Sequence, residues 1–198
     1  MSLIKTWLHR QQDQEGDVMI IDNFLETHLH HAILDDMTND EFPWYYWDNI
    51  SLGDTNTLGK YGFNYWLLKE HETIDGRLEN FTLPEIYYTF LNELQTTVGS
   101  TKLIRSRVDM TLYRNNPFPL EPHIDLTYPH ITTIYYVNHS DGTTILYNDS
   151  QSGALTIKEE IEPVANRLII FDGLTWHTGH TPMKNNRRIL INTNFHPN

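Results

Sequence analysis

The chain has 198 residues, a net charge of −12 and 39% hydrophobic residues, a composition typical of a folded domain with one substantial core. It contains no cysteine, which excludes disulfides, thiolate zinc sites and cysteine nucleophiles. Because so acidic a surface repels phosphate backbones, we expect no general nucleic-acid binding. Residues 1–16 lack the apolar run of a signal peptide, and no stretch reaches the length of a membrane span. We therefore expect a cytoplasmic protein without membrane contact.

The first hundred residues predict one strand and two helices. A short apolar run at residues 18–24 predicts the strand, and apolar residues then recur at helical spacing over residues 25–37. A second helix is predicted from residue 84 to about residue 98. Its ends are marked by Pro84, which suits a first helical turn, and by Gly99, which suits the position after the last turn.

An aromatic segment at residues 42–47 lies between the two helices. We expect a polar loop to follow it and to run through Gly62 and Tyr65-Trp66. Two roles are open for the aromatic side chains. They pack between the helices and a sheet, or some of them line a substrate pocket.

From residue 103 onward, short β-rich runs alternate with turns rich in Pro, Gly, Asn and Asp. Strands at this spacing predict a β-sandwich or barrel. We therefore expect one mainly β domain over residues 1–198, with a helical N-terminal part (1–100) packed on a β core (101–198). The runs lie at residues 103–113, 131–138, 143–148, 154–158, 167–171 and 188–195.

A candidate metal site lies at His123-Ile124-Asp125. On a strand, residues i and i+2 face the same side, so both side chains can reach one ion. With a second histidine from elsewhere, they would make the two-histidine, one-carboxylate set that binds iron(II) and leaves positions open. A pattern this short also arises by chance. A second copy at residues 139–141 is typical of a turn, and we expect it, like His30 on the first helix, to be solvated.

The segments around His123 follow a known order of motifs. A tyrosine lies ten residues before the histidine, a strand end and a turn follow it, and a distal histidine and an arginine pair come last. In this order they resemble prolyl-4-hydroxylase-like 2-oxoglutarate/iron(II) dioxygenases. One departure is Leu190, which stands where the family has the serine of its R-x-S motif. The matching segments are residues 21–25, Tyr113, 136–138, 141–146, 163–171, 176–177 and 187–188.

The resemblance implies a double-stranded β-helix (jelly-roll) core. It also implies an enzyme that uses Fe(II), 2-oxoglutarate and O2 to hydroxylate a C–H bond, releasing succinate and CO2. His177 is identified as the distal iron ligand, with His180 as its rival, and Tyr113 is expected to donate its hydroxyl to 2-oxoglutarate.

The far carboxylate of 2-oxoglutarate needs a fixed cation, and arginine offers two parallel donors to it. Arg187 and Arg188 are adjacent, so on a strand they face opposite ways. Arg188 shares its face with Asn192 and Asn194, and this polar face suits a pocket wall. We predict Arg188 as the anchor and keep Arg187 as the alternative.

The strand that leads to Tyr113 places Arg107, Asp109 and Thr111 on the same face as the tyrosine. This mixed-sign face predicts that Arg107 and Asp109 contact the substrate, unless that end of the strand opens to solvent. Tyr136 is a further candidate substrate contact. We expect a peptide or a small polar molecule as substrate. Alternatives are a non-catalytic jelly-roll module that binds a metal or ligand, a cupin-type enzyme, and the nucleic-acid demethylase branch of the same superfamily.

Overall fold

The computed structural model describes residues 18–50, 60–70, 83–100, 102–116, 120–149 and 154–197. Its strands form two antiparallel sheets, of seven and three strands. They are β1 (Met19–Ile21), β2 (Tyr45–Trp47), β3 (Gly62–Leu68), β4 (Leu103–Leu112), β5 (Ile131–Tyr136), β6 (Thr144–Asp149), β7 (Leu155–Ile161), β8 (Arg167–Asp172), β9 (His177–Gly179) and β10 (Arg187–Phe195). The large sheet has the order β1-β8-β5-β10-β4-β3-β2, and the small sheet has the order β7-β6-β9.

The two sheets pack against each other through a buried apolar cluster. The large sheet contributes Ile134, Tyr136 and Leu190, and the small sheet contributes Leu146 and Ile161. Because strand residues alternate between the faces of a sheet, the inward-facing residues of β4, β5 and β10 point into the same space. The polar residues among them therefore form the wall of a pocket between the sheets.

Two helices cover the other face of the large sheet: α1 (Thr27–Thr38) and α2 (Glu85–Val98). Both bury one stripe of side chains at helical spacing, and these join the larger core cluster. Helix α2 begins after Pro84 and ends at Gly99, whose φ of 70° is the left-handed conformation that glycine adopts readily. The expectation for His30 was wrong. This side chain is buried, and its Nδ1 lies 2.7 Å from the hydroxyl of Tyr135 in the core.

The expected loop at Gly62 and Tyr65-Trp66 was also wrong, because these residues form β3. This strand pairs with β4, for example Phe63 with Met110, and carries β2 as its outer neighbour. Its large side chains occupy both faces, so the sequence lacks the apolar-polar alternation of a half-buried strand. The N-terminal part (1–100), which was expected to be helical, thus also contributes β1, β2 and β3 to the large sheet.

The structure supports the packing role for the aromatic segment, and none of its residues lines the pocket between the sheets. Phe42 is buried, with its ring centroid 4.6 Å from that of Trp44 and 5.2 Å from that of Tyr65. Trp47 instead lies on the inner face of the sheet, where its ring centroid is 5.9 Å from Arg107 Cζ.

Within the described ranges, no helix combines the length and the apolar character needed to cross a membrane. Residues 1–16, which bore on the expectation for the N-terminus, lie outside those ranges. That all 198 residues form one domain stays a prediction.

Candidate metal centre

His123 and His177 lie opposite each other because their backbones are paired. The N–H of each residue donates to the carbonyl of the other at 2.9 Å, which forms an isolated antiparallel bridge beside β9. Their ring centroids are 4.6 Å apart. With Asp125 they form a group whose possible ligand atoms all lie within 4.8 Å of one another.

Backbone carbonyls orient both imidazole rings. His123 Nδ1 lies 3.0 Å from the carbonyl oxygen of Glu121, and His177 Nδ1 lies 3.0 Å from that of Thr175. In a neutral histidine this Nδ1–H donates to the carbonyl, which leaves the Nε2 lone pair for a metal. His177 Nε2 is 3.9 Å from Asp125 Oδ2. Burial lowers the pKa of His177 to about 4, so its ring is neutral at pH 7, as metal binding requires.

Three neutral donors hold the Asp125 carboxylate in place. Its Oδ2 accepts hydrogen bonds from Asn192 Nδ2 and Asn194 Nδ2, both at 3.0 Å, and from Thr132 Oγ1 at 3.3 Å. The two asparagines come from β10 and the threonine from β5, neighbouring strands of the large sheet. Such partners fix the orientation of a carboxylate ligand and strengthen metal binding.

Arg105 provides the charged partner of Asp125. Its Nη2 lies 3.2 Å from Asp125 Oδ1 and donates to the Asp125 carbonyl at 3.1 Å, while its Nε donates to Asn194 Oδ1 at 2.7 Å. Burial alone would raise the pKa of Asp125, but His177 and Arg105 outweigh it and hold that pKa below its usual range. The carboxylate is therefore charged at neutral pH.

The other two histidine candidates lie apart from this group. His180 is half-buried and is not a member of it, so the structure favours His177 over its rival. In the second H-x-D motif, His139 is exposed, as expected. Asp141 has a structural role instead, because its carboxylate accepts backbone N–H groups of Met183, Lys184 and Asn185 just before β10.

A pocket of about 530 Å³, measured out to its open mouth, adjoins the group and contains both metal-facing histidines and Arg188. Arg188 is 5% exposed, and its Nη2 donates to Thr144 Oγ1 at 2.7 Å. Its Nε, like the hydroxyl of Thr111 beside it, has no hydrogen-bond partner among the described residues. Because buried polar atoms are normally paired, these open positions indicate a ligand with acceptor oxygens.

Residues 109–196 match the family model "2OG-Fe(II) oxygenase superfamily". This segment belongs to that superfamily. It contains the His-Asp-His group and Arg188, so the prediction of an enzyme that depends on Fe(II) and 2-oxoglutarate is confirmed at the level of the family. No curated protein matches the sequence.

Several solved structures share the fold of this chain at low sequence identity. A prolyl-4-hydroxylase from Pseudomonas putida is 13% identical, with a TM-score of 0.62 over 98% of this chain and 100% of that one. A prolyl hydroxylase from Trichoplax adhaerens, in complex with a peptide fragment of the hypoxia inducible factor oxygen degradation domain, is 16% identical, with a TM-score of 0.66 over 98% and 89%. The epimerase SnoN, in complex with Fe3+, alpha ketoglutarate and nogalamycin RO, is 10% identical, with a TM-score of 0.61 over 98% and 86%. These likenesses confirm the mainly β, jelly-roll fold with flanking helices.

Small residues make room for Arg188 in the oxygenase pocket. A Cβ on Gly179 would lie 3.1 Å from Arg188 Nη1, and one on Gly142 would lie 3.0 Å from Arg188 Cδ and collide with the carbonyl oxygen of His180. Tyr136 is fully buried behind Arg188. Its ring centroid is 5.8 Å from Arg188 Cζ, and its hydroxyl donates to Thr144 at 2.7 Å. Tyr136, predicted as a substrate contact, therefore supports Arg188 and does not line the pocket.

Tyr113 and Arg187 do not line the oxygenase pocket. Tyr113 is 48% exposed, and its hydroxyl donates to Asn115 Oδ1 at 2.7 Å. Strand β4 ends at Leu112, so Tyr113 lies beyond the strand and does not continue its inward face. Arg187 is half-buried on the opposite side of β10 from Arg188. The geometry thus favours Arg188 as the anchor and gives Tyr113 no contact with the site.

Arg107 and Asp109 lie in the pocket wall, as predicted. Arg107 Nε is 2.8 Å from Asp109 Oδ1, and the guanidinium carbon lies 5.3 Å from the ring centroid of Trp66. Sequence reasoning missed the residues that orient Asp125. The available signal was their position, because Arg105 shares the inward face of β4 with Arg107, and Asn192 shares that of β10 with Arg188.

Proposed function

We propose that this oxygenase hydroxylates a C–H bond of a peptide or small polar substrate and converts 2-oxoglutarate to succinate and CO2. One observation carries the proposal. The His123, Asp125 and His177 donor atoms gather within 4.8 Å beside a pocket that also holds a buried arginine with an open donor. A metal set and an anion anchor in one pocket are the two requirements of this chemistry.

His123, Asp125 and His177 would hold Fe(II). Two imidazole nitrogens and one carboxylate on one side of the ion suit this metal and leave the opposite side open to ligands. The bound iron supplies the activation of dioxygen, with 2-oxoglutarate as the source of electrons. The role of the chain is to present the Nε2 atoms of the two histidines and a charged carboxylate, each fixed by the hydrogen bonds described above.

Arg188 would bind the far carboxylate of 2-oxoglutarate. Its Nε and the hydroxyl of Thr111 have no partner among the described residues, and both side chains line the pocket where such a carboxylate would bind. The apolar side chains of Ile134 and Leu190 line the same pocket and exclude water from the pair. In a dry pocket a charge-assisted hydrogen bond is stronger than in water, so the anchor holds the co-substrate in one orientation.

The class of primary substrate follows from charge and from the pocket wall. The net charge of −12 disfavours a polyanion, which would meet repulsion over most of the surface. The Arg107–Asp109 pair offers both signs of charge to a polar partner. Among proteins of this fold, one is solved with a peptide fragment and another with nogalamycin RO, so the fold accommodates both substrate sizes.

Anaerobic titration of the protein with Fe(II) and 2-oxoglutarate tests the proposal directly. We expect the weak visible charge-transfer band of the chelate, and we expect neither ligand alone to produce it. A protein that binds the metal but never forms the chelate would be a non-catalytic jelly-roll module. Under air, peptides or amino acids should increase succinate release. Stimulation by single-stranded oligonucleotides alone would favour the demethylase alternative.

A further inference from the structure

The inner face of β4 carries a second cationic position besides the Arg188 end of the pocket. Arg188 pairs with Thr111, whereas Arg107 pairs with Asn192, four residues further along both strands. At roughly 3.3 Å per residue, these two positions are about 13 Å apart. Because the two arginines occupy separate positions along the pocket wall, a co-substrate anchored at Arg188 leaves Arg107 available to a second ligand.

Arg107 is held in a fixed orientation. Its Nε lies 2.8 Å from Asp109 Oδ1 and 3.1 Å from Oδ2. The ring centroids of Trp66 and Trp47 lie 5.3 and 5.9 Å from its guanidinium carbon. No other hydrogen bond of this side chain occurs within the described residues, so its two terminal nitrogens have no described partner, and the residue lines the pocket. A guanidinium oriented in this way binds a carboxylate through two parallel hydrogen bonds.

The charge of the loaded pocket also favours an anion. Among the described residues, three arginines on the inner face stand against two carboxylates: Arg105, Arg107 and Arg188 against Asp109 and Asp125. Fe(II) and the 2-oxoglutarate dianion cancel each other, so the loaded site retains one positive charge. A substrate with a single carboxylate would neutralise it, whereas a neutral substrate would leave the net positive charge of the buried site uncompensated, which is costly.

Asn64, the cross-strand neighbour of Asp109, is a further buried polar group without a partner among the described residues. It pairs with Asp109 across β3 and β4, so both side chains lie on the same face of the sheet. Asn64 is 1% exposed, yet neither its amide nitrogen nor its amide oxygen has a hydrogen-bond partner in the described part of the chain. Buried amides are nearly always paired, so a polar group outside the described protein atoms is expected here.

We propose that Arg107 is a specificity-determining residue that binds a carboxylate of the primary substrate. This inference rests on the proposed function, since it concerns the substrate of the same site. It identifies the substrate as a carboxylic acid, either a free amino acid or other small acid, or a peptide with a side-chain or C-terminal carboxylate.

The test measures succinate release with a panel of acids and their neutral counterparts. The panel contains free amino acids and small organic acids with their amides and methyl esters, and peptides with Asp or Glu against Asn or Gln. We expect an acid to stimulate the wild-type protein while its amide does not. In an Arg107→Met variant, that acid should need a roughly 30-fold or higher concentration. The two arms of the panel distinguish small acids from peptides.

The controls separate this inference from the function on which it rests. Arg107→Met should retain the Fe(II)–2-oxoglutarate chelate band, and Arg114→Met, outside the pocket, should retain the preference for the acid. If the single variant does not fold, Arg107→Met with Asp109→Asn removes both charges of the pair. The inference is wrong if no acid stimulates, if amides act equally, if the variant keeps the preference, or if it loses the chelate. A missing chelate in the wild type refutes the proposed function itself.

Discussion

Replacing Arg188 with alanine should abolish tight binding of 2-oxoglutarate and leave Fe(II) binding nearly intact. The guanidinium is 5% exposed, donates one hydrogen bond to Thr144 and keeps Nε without a described partner. Without it, the far carboxylate of the co-substrate would be buried with no cation. Removing one partner of such a pair costs about 2–5 kcal/mol, which corresponds to a roughly 30- to several-thousand-fold weaker affinity.

The assay is an anaerobic titration with 2-oxoglutarate at saturating Fe(II), followed through the chelate band, with Fe(II) affinity measured separately. Arg187→Ala is the matched control, because Arg187 is the adjacent residue and faces the other side of the strand. Arg188→Lys keeps the charge but loses the two-pronged geometry, and it should recover only part of the affinity. An equal loss in Arg187→Ala, or an unchanged affinity in Arg188→Ala, would refute the assignment of the anchor.

Three further perturbations test the remaining parts of the site. His177→Ala should weaken Fe(II) affinity by more than the roughly 10- to 100-fold that is lost when only a residue supporting a metal ligand is removed. His180→Ala should change that affinity little, and metal titration measures both. Gly179→Ala should weaken 2-oxoglutarate by roughly tenfold at unchanged Fe(II) affinity, because the new Cβ lies 3.1 Å from Arg188 Nη1. The metal-free protein should also lose stability in acid. The pKa of His177 is about 4 in the folded state and near 6.5 when unfolded, so between these values the unfolded chain binds the extra proton. Denaturant unfolding should show that His177 lowers the free energy of unfolding by about 2 kcal/mol between pH 7 and pH 5. The His177→Gln variant should lack that part of the decrease.

The strand pattern of residues 103–195 could be read from the sequence because β-branched runs and turn residues alternate there. Strands β2 and β3 could not, because their large aromatic residues occupy both faces and lack a period of two. Their pairing with β4 is a long-range contact that decides the local structure. The prediction for His30 failed for a related reason, because its partner in the core, the Tyr135 hydroxyl, lies 105 positions away in the sequence.

The metal group was predictable because His123 and Asp125 form an H-x-D pair and His177 follows at the sequence spacing of the family motif. The position of Tyr113, which the resemblance placed at the co-substrate, was not predictable in this way, because β4 ends one residue earlier, at Leu112. The partners of Asp125 are single Asn, Thr and Arg residues in the chain. Only the register of three neighbouring strands brings Thr132, Asn194 and Arg105 to one carboxylate.

Strand β10 places both ligand sites relative to each other. It lies between β4 and β5, and it carries Arg188 at one end and the amides that hold Asp125 at the other. On its opposite face, Thr193 Oγ1 lies 2.8 Å from Ser106 Oγ, and the Thr193 carbonyl accepts Thr133 Oγ1 at 3.0 Å. A slip by one residue would turn every inward side chain outward and would break this buried polar group. The pairing that holds β10 in the sheet therefore also fixes the distance between Arg188, the proposed 2-oxoglutarate anchor, and Asp125, the proposed metal ligand.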